Sequence, residues 1–199
     1  MNTKKISIKK SIIIAVCVLL ILAFIFMYIT YTHSQRDQSV TPFWSAHNQQ
    51  STHIVDHLHW QQFLDTFVHS DEFGIHRVDY KSAKNNDSLL QQYIAQLTQI
   101  DPRELTKEEQ KAYWINAYNA LTIRLILNNY PTDSIVDLGS SLIAFGPWDD
   151  TVITLAEQTL TLNDIEHRIL RPIWKDPRIH FAVNCASIGC PNLQKEAFT

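Results

Sequence analysis

From Ile12 to Ile29 the chain runs without a single charge, Gly or Pro, and no other feature limits its folding so strongly. As an α-helix rising about 1.5 Å per residue, such a run is long enough to cross most of a hydrocarbon core roughly 30 Å thick. Lys4, Lys5, Lys9 and Lys10 precede it, and Tyr28 and Tyr31 lie at its far end. Basic residues hold their flank on the cytoplasmic side and aromatic rings favour the interface. The resulting expectation is a basic cytoplasmic tail over residues 1–11, a transmembrane signal anchor over 12–31, a linker over 32–52 and one folded domain over 53–199. The anchor is then a single pass through the inner membrane, N-terminus inside, with the domain in the periplasm. A cleaved leader fits less well, because the apolar run exceeds the roughly 7–15 residues of a signal-peptide core and no Ala-x-Ala site follows it. Cys17 falls inside the span and reads as a lipid-facing apolar residue.

From His33 to Thr52 the sequence turns to Ser, Gln, His, Asn and Thr without a sustained apolar period, the composition of a tether. The histidines between His47 and His59 form no closed ligand spacing and read as solvated surface. A formal net charge of -3 and a pI near 6.3 over 199 residues leave no basic surface for nucleic acid. The remaining length suits one domain.

Within that domain, Leu58, Trp60, Phe63, Leu64 and Phe67 form a helical stripe, and a short strand is expected around Arg77–Tyr80. Asp87 can cap a helix that runs to Leu97. Thr106, with Glu109 three residues on, forms a capping box for a long helix that closes before Pro131. Asn116 and Asn119 sit inside this helix, where Asn is a poor former, and share a face with Ile123. They are expected to satisfy buried backbone groups of another segment, shaping or orienting a neighbouring loop. The stretch Pro131–Asp150 is irregular, and its Gly146–Asp150 end suggests a loop over a pocket. Two β-rich runs between Ile153 and Leu162 suggest a hairpin around Glu157-Gln158. Asn163 then opens a short helix that ends before Pro172. Helices first and strands later make a mixed α+β domain.

Chemistry concentrates in His180-Phe-Ala-Val-Asn-Cys-Ala-Ser-Ile-Gly-Cys-Pro-Asn-Leu193, which holds two of the three cysteines. It reads as a strand leading into a tight loop, with Pro191 placed to open a helix. A helix N-terminus carries about half a positive elementary charge, which favours a thiolate. The alternative is a short-loop disulfide between Cys185 and Cys190. A thiol nucleophile needs a base. His167 leads, with Glu166 and Asp164 near it in sequence, and His180 is a rival. Glu166 also fits the acidic half of a capping box begun at Asn163. Cys-x4-Cys followed by Pro is not a zinc spacing, and no second Cys pair exists, so neither a metal nor another cofactor is expected.

Three blocks carry a resemblance: Trp114-Ile-Asn-Ala-Tyr-Asn-Ala-Leu-Thr122, Leu162-Asn-Asp-Ile-Glu-His-Arg-Ile-Leu-Arg-Pro172 and Pro177 through Pro191. Together with Arg77-Val-Asp-Tyr80 and Asn129-Tyr-Pro131, they resemble the hallmark blocks of domain-of-unknown-function family 547. The resemblance implies a papain-like or transglutaminase-like thiol enzyme in permuted order, with Cys185 as nucleophile, Cys190 as its rival, His167 as base and Glu166 as orienter. Asn116 and Asn119 would shape the pocket. Family domains continue beyond the Cys-Pro-x-Leu block, so the resemblance also implies that 53–199 is an incomplete domain. Two functions follow. One is a membrane-anchored hydrolase or acyltransferase acting on amide or thioester bonds of a peptide or small molecule. The other is a non-catalytic envelope binding module that carries a Cys185–Cys190 disulfide.

Overall fold

The computed structural model describes the backbone of residues 2–139, 146–187 and 189–199. The chain divides into two units, Met1–Val40 and Thr41–Thr199.

The first unit belongs to helix α1, Asn2–Trp44. Its apolar part is long enough to cross a membrane, with a mean hydropathy of 3.0 and no buried side chain. The hydroxyls of Thr30 and Thr32 donate to the carbonyls of Met27 and Ile29 at 2.9 and 2.8 Å. Both polar groups are thereby satisfied within the helix, as an apolar environment requires.

The polar stretch expected to be a linker is helical as far as Trp44. Gln, Arg and Ser tolerate a helix well enough, and no Gly interrupts them. Tertiary contacts fix its end. Trp44 is fully buried and meets Trp114 edge to face at 5.1 Å, while the Gln110 amide donates to the carbonyls of Trp44 and Ala46 at 3.1 and 2.9 Å. The Arg103 guanidinium lies 4.2 Å from the Phe43 ring centre.

The second unit is built around α5, Lys107–Asn129, a helix buried on all sides from Ala112 to Ile123. The Thr106 hydroxyl accepts from the backbone N–H of Glu109 at 3.2 Å, as a capping box demands. Glu109 does not return the bond and instead accepts from Val55 N at 2.8 Å. Helices α2, Leu58–Phe67, and α4, Ser88–Leu97, pack against each other and α4 packs on α5. Trp60 stacks on Phe63 and on Tyr93 at 5.6 and 5.9 Å. Asp87 stands at the N-cap of α4, but its carboxylate accepts from the Gln91 side chain rather than from the backbone. The short helix α3, Tyr80–Asn85, is capped by Asp79.

The strands among the described residues form two separate antiparallel hairpins. Strands β1, Val68–Ser70, and β2, His76–Val78, pair Val68 with Val78. Asp71 shapes their turn, accepting from the N–H groups of Phe73 and Ile75 at 2.9 Å each. Strands β3, Thr151–Leu155, and β4, Gln158–Thr161, pair Leu155 with Gln158 across a two-residue turn in which Ala156 and Glu157 both take positive φ. That is the turn hand that matches strand twist. The register slips at Val152, whose carbonyl accepts from Arg124 of α5. The mixed α+β class therefore holds, mostly helical with small sheets. Of the irregular stretch before β3, residues 140–145 lie outside the described residues, and Gly146–Asp150, the loop expected over a pocket, forms bends and turns.

Three local expectations are corrected. The helix after Asn163 does not end before Pro172. A π-helical segment, Asp164–Leu170, hands over to α6, Arg171–Trp174, and Pro172 lies in the first turn of α6, where its missing N–H needs no partner. The run His180–Asn184 is not a strand either: α7, Ile179–Ala182, is a single helical turn. Ile179 and Val183 are buried four residues apart while Phe181 is exposed, so burial follows the helical spacing and not the alternation of a strand. No helix begins at Pro191.

Candidate functional site

The last segment of the chain, from Val183 onward, contains no strand or helix among its described residues, so its backbone polar groups must find partners elsewhere. Side-chain amides supply them. The Asn119 amide donates to the Ala182 carbonyl at 2.9 Å, and its oxygen accepts from Asn184 N at 2.8 Å. Asn116 does the same for one residue, donating to Phe198 O at 2.8 Å and accepting from Phe198 N at 3.0 Å. Gln61 of α2 donates to Lys195 O at 2.9 Å and accepts from Ala197 N at 2.8 Å. Asn192 reaches the β1–β2 turn, donating to Gly74 O and accepting from His76 N. Each amide presents one donor and one acceptor in the geometry of a peptide unit. That is why two Asn residues are tolerated in the middle of α5, and it is the backbone-satisfying role their shared face suggests.

These clamps position the cysteine loop. Cys185 and Cys190 are joined as a disulfide, with their Cα atoms 6.1 Å apart. Asn184 braces the same loop: its amide donates to Pro191 O at 2.7 Å and its oxygen accepts from Ala186 N at 2.9 Å. Ala186 takes φ +59°, a left-handed conformation that a non-glycine residue adopts only when its surroundings impose it. Cys190 N donates to Ser187 O at 2.9 Å.

The acidic residues expected at a thiol site have partners of their own. Glu166 is committed to Arg171, which donates to it through Nη2 at 2.6 Å and Nε at 3.1 Å. The buried Tyr118 phenol lies near enough to feel its charge, and its pKa is raised by burial first and by the Glu166 charge second. Neighbours on a helix point apart, so Glu166 faces inward while His167 is exposed. Glu166 therefore does not orient His167. His180 is exposed as well, its ring against Phe181 at 5.1 Å. Asp164, the further acidic neighbour, is buried and bonded to Arg168 at 3.1 Å and to Thr161 N at 2.9 Å. Among the described residues no group of three or more His, Cys, Asp or Glu side chains is placed to hold a metal ion.

Sequence reasoning passed over the concave surface that the fold does build. A cleft of about 640 Å³ lies between the first turns of α5 and the segment from Trp174 to Ala182, within the roughly 300–1,000 Å³ of small-molecule sites. Ala112, Ile115, Ile179 and Phe198 give it apolar walls, and Trp174 stands at its side, held by donation from Nε1 to Lys107 O at 3.2 Å. At the polar end Asp176 gathers two cations, Lys111 Nζ at 2.7 Å and Arg178 Nη2 at 2.8 Å. Hydrogen bonds from Arg178 and Lys111 hold the Asp176 carboxyl well below the usual carboxylate range, so it stays ionised. No short motif announces this cleft. Lys111 and Asp176 are far apart in sequence, and only the path of the chain after α6 brings them together.

A second polar cluster lies deep in the unit. His57 is buried, its Nδ1 2.7 Å from the Tyr93 hydroxyl, and the Asn116 amide lies 3.4 Å from both ring nitrogens. Desolvation lowers the His57 pKa, against the opposing pull of Glu109 and Asp56.

No curated protein and no solved structure matches the chain. A family model does match, over residues 102–199. That range takes in α5 with Asn116 and Asn119, the π-helical segment, the cleft and the cysteine loop. Residues 102–199 thus belong to DUF547, a family described as protein of unknown function, as the sequence blocks suggest.

Proposed function

We propose that this chain is a membrane-anchored binding module whose folded unit faces an oxidising compartment, and that Cys185 and Cys190 serve it as a structural disulfide. One observation carries the proposal: the bond between those two cysteines, in a loop braced on both sides by Asn184. A sulfur in a disulfide is not a thiolate and cannot attack a carbonyl. Two independent features support the same orientation. Disulfides persist outside the reducing cytosol, and the lysines before the apolar run favour a cytoplasmic N-terminus, leaving the folded unit in the periplasm of an inner-membrane protein. The cleft supports binding, since its apolar walls end in the charges of Asp176, Lys111 and Arg178.

The competing reading is a papain-like or transglutaminase-like thiol hydrolase or acyltransferase, in which reduced Cys185 attacks an amide or thioester carbonyl and His167 takes the thiol proton. What favours it is the occurrence of Glu166, His167 and Cys185 in the blocks that carry the family resemblance. The two readings separate in one experiment on the full chain in native membranes. Cysteines are alkylated before and after reduction and read by peptide mass spectrometry. The binding module predicts no label on Cys185 or Cys190 until reductant is added. Rapid labelling of native Cys185, lost in His167→Ala, would overturn it in favour of the hydrolase.

A further inference from the structure

The cleft beside α5 has a polarity that its charges alone do not reveal. Asp176 is its inward carboxylate, and its acceptor capacity is used up. One oxygen accepts from Arg178 N at 3.0 Å and Arg178 Nε at 2.9 Å; the other accepts from Lys111 Nζ at 2.7 Å and Arg178 Nη2 at 2.8 Å. The donors are not used up. An ammonium carries three N–H bonds and a guanidinium five, so Lys111 and Arg178 retain donors after Asp176 is satisfied. Lys107 adds a third cation one helical turn before Lys111, on the same face of α5. Glu108, the other acidic side chain of the lining, accepts from the Gln49 side chain through Oε2 at 3.3 Å and keeps acceptor sites of its own, so three cationic side chains stand against two acidic ones, with Thr199 also at the wall. The Trp174 indole donor is spent on Lys107 O. What the cleft presents to a ligand is therefore an apolar wall ending in a surplus of charged donors.

We infer that this cleft binds a small monoanion with an apolar body: a carboxylate whose head bridges Lys111 and Arg178 and whose hydrocarbon or aromatic part lies against Trp174, Ile115 and Ile179. The inference rests on the binding-module reading and names the ligand class for it. Charge-assisted N–H···O bonds are about twice as strong as neutral ones, and Lys111, with 27% of its side chain accessible, is the more shielded of the two donors. They discriminate by sign, because an ammonium head bridging the same place would meet the N–H groups of Lys111 and Arg178 and an Asp176 with no acceptor left. The apolar wall contributes in proportion to the area it covers and is indifferent to charge. Two ligands with one body and opposite heads therefore separate the contributions.

The test is equilibrium dialysis of the full chain in nanodiscs, with empty nanodiscs as the blank, against 4-phenylbutyrate and 4-phenylbutylamine. Saturable binding of the carboxylate at one site per chain is expected, with the amine at least about tenfold weaker. Lys111→Gln and Arg178→Gln should each weaken the carboxylate and leave the amine no weaker. Arg178 is largely exposed, with 84% of its side chain accessible, so its replacement does not threaten the fold. Ala182→Leu, at a half-buried position in the wall, should weaken both ligands by filling the cleft. Absence of saturable binding, or equal affinity for the two heads, overturns the inference. Neither result touches the alkylation experiment, whose failure would instead remove the binding-module reading.

Discussion

Replacing Asn119 with Ala tests the idea that side-chain amides hold the last segment in place. The side chain is 2% exposed and makes two bonds, to Ala182 O at 2.9 Å and from Asn184 N at 2.8 Å. Each such bond contributes about 0.5–1.5 kcal/mol net, and a buried partner left unsatisfied costs more. Ala182 and Asn184 are both half-buried, so water can repair part of the loss, and the sum comes to about 2–3 kcal/mol. For a folded unit of this size that is a fall of about 4–12 °C in melting temperature. Near-ultraviolet circular dichroism of the full chain in nanodiscs reads the midpoint, and amide hydrogen exchange reads protection at Asn184. Asn119→Asp should be no better than Ala. It keeps an acceptor for Asn184 N but turns a second oxygen toward the Ala182 carbonyl. A change below about 0.5 kcal/mol for Asn119→Ala, or undiminished protection at Asn184, would refute the clamp.

Two further outcomes are expected. Burial lowers the His57 pKa below its ordinary value of about 6.5, so the unfolded chain takes up that proton first as pH falls. Stability should drop from about pH 6.5 downward through the lower native pKa and then level off. The difference in melting temperature between pH 7.5 and 5.5 should therefore be smaller in His57→Gln; an unchanged difference would exclude His57 as a source. Glu166→Gln weakens the two bonds from Arg171 and should cost about 1–3 kcal/mol, whereas His167→Ala, at an exposed position, should stay within about 0.5 kcal/mol. Equal costs in thermal unfolding would contradict the opposed directions of these two side chains.

The family resemblance and the mixed α+β class were legible because they rest on local signals. An uncharged run of spanning length, the Thr106 cap and the i, i+3, i+4 stripes of α2 and α4 each act within a few residues of themselves, and the chain realises them where they stand. The Asn116 and Asn119 anomaly was legible for a related reason. Asn in mid-helix is locally unfavourable, so it signals a partner that the sequence does not name. The strand expected at His180 failed because Ile179-His-Phe-Ala-Val183 satisfies either period. Burial of Ile179 and Val183 together, with Phe181 left outside, decided for the helix. The helix through the polar stretch after His33 was not legible, because composition cannot register that Trp44 has a core to enter.

The sequence by itself determined the apolar span, the helices of the folded unit, the second hairpin and the blocks that place the chain in its family, since periodicity and capping are properties of neighbouring residues. Tertiary structure alone decided which groups meet. It turned Glu166 inward to Arg171 and Tyr118 and left His167 in solvent. It joined Cys185 to Cys190 in a braced loop and drew Lys111 and Arg178 onto Asp176 beside an apolar cleft. Such meetings depend on the path of the chain between distant residues, and that path is set by the sum of many weak burials, which no local pattern encodes.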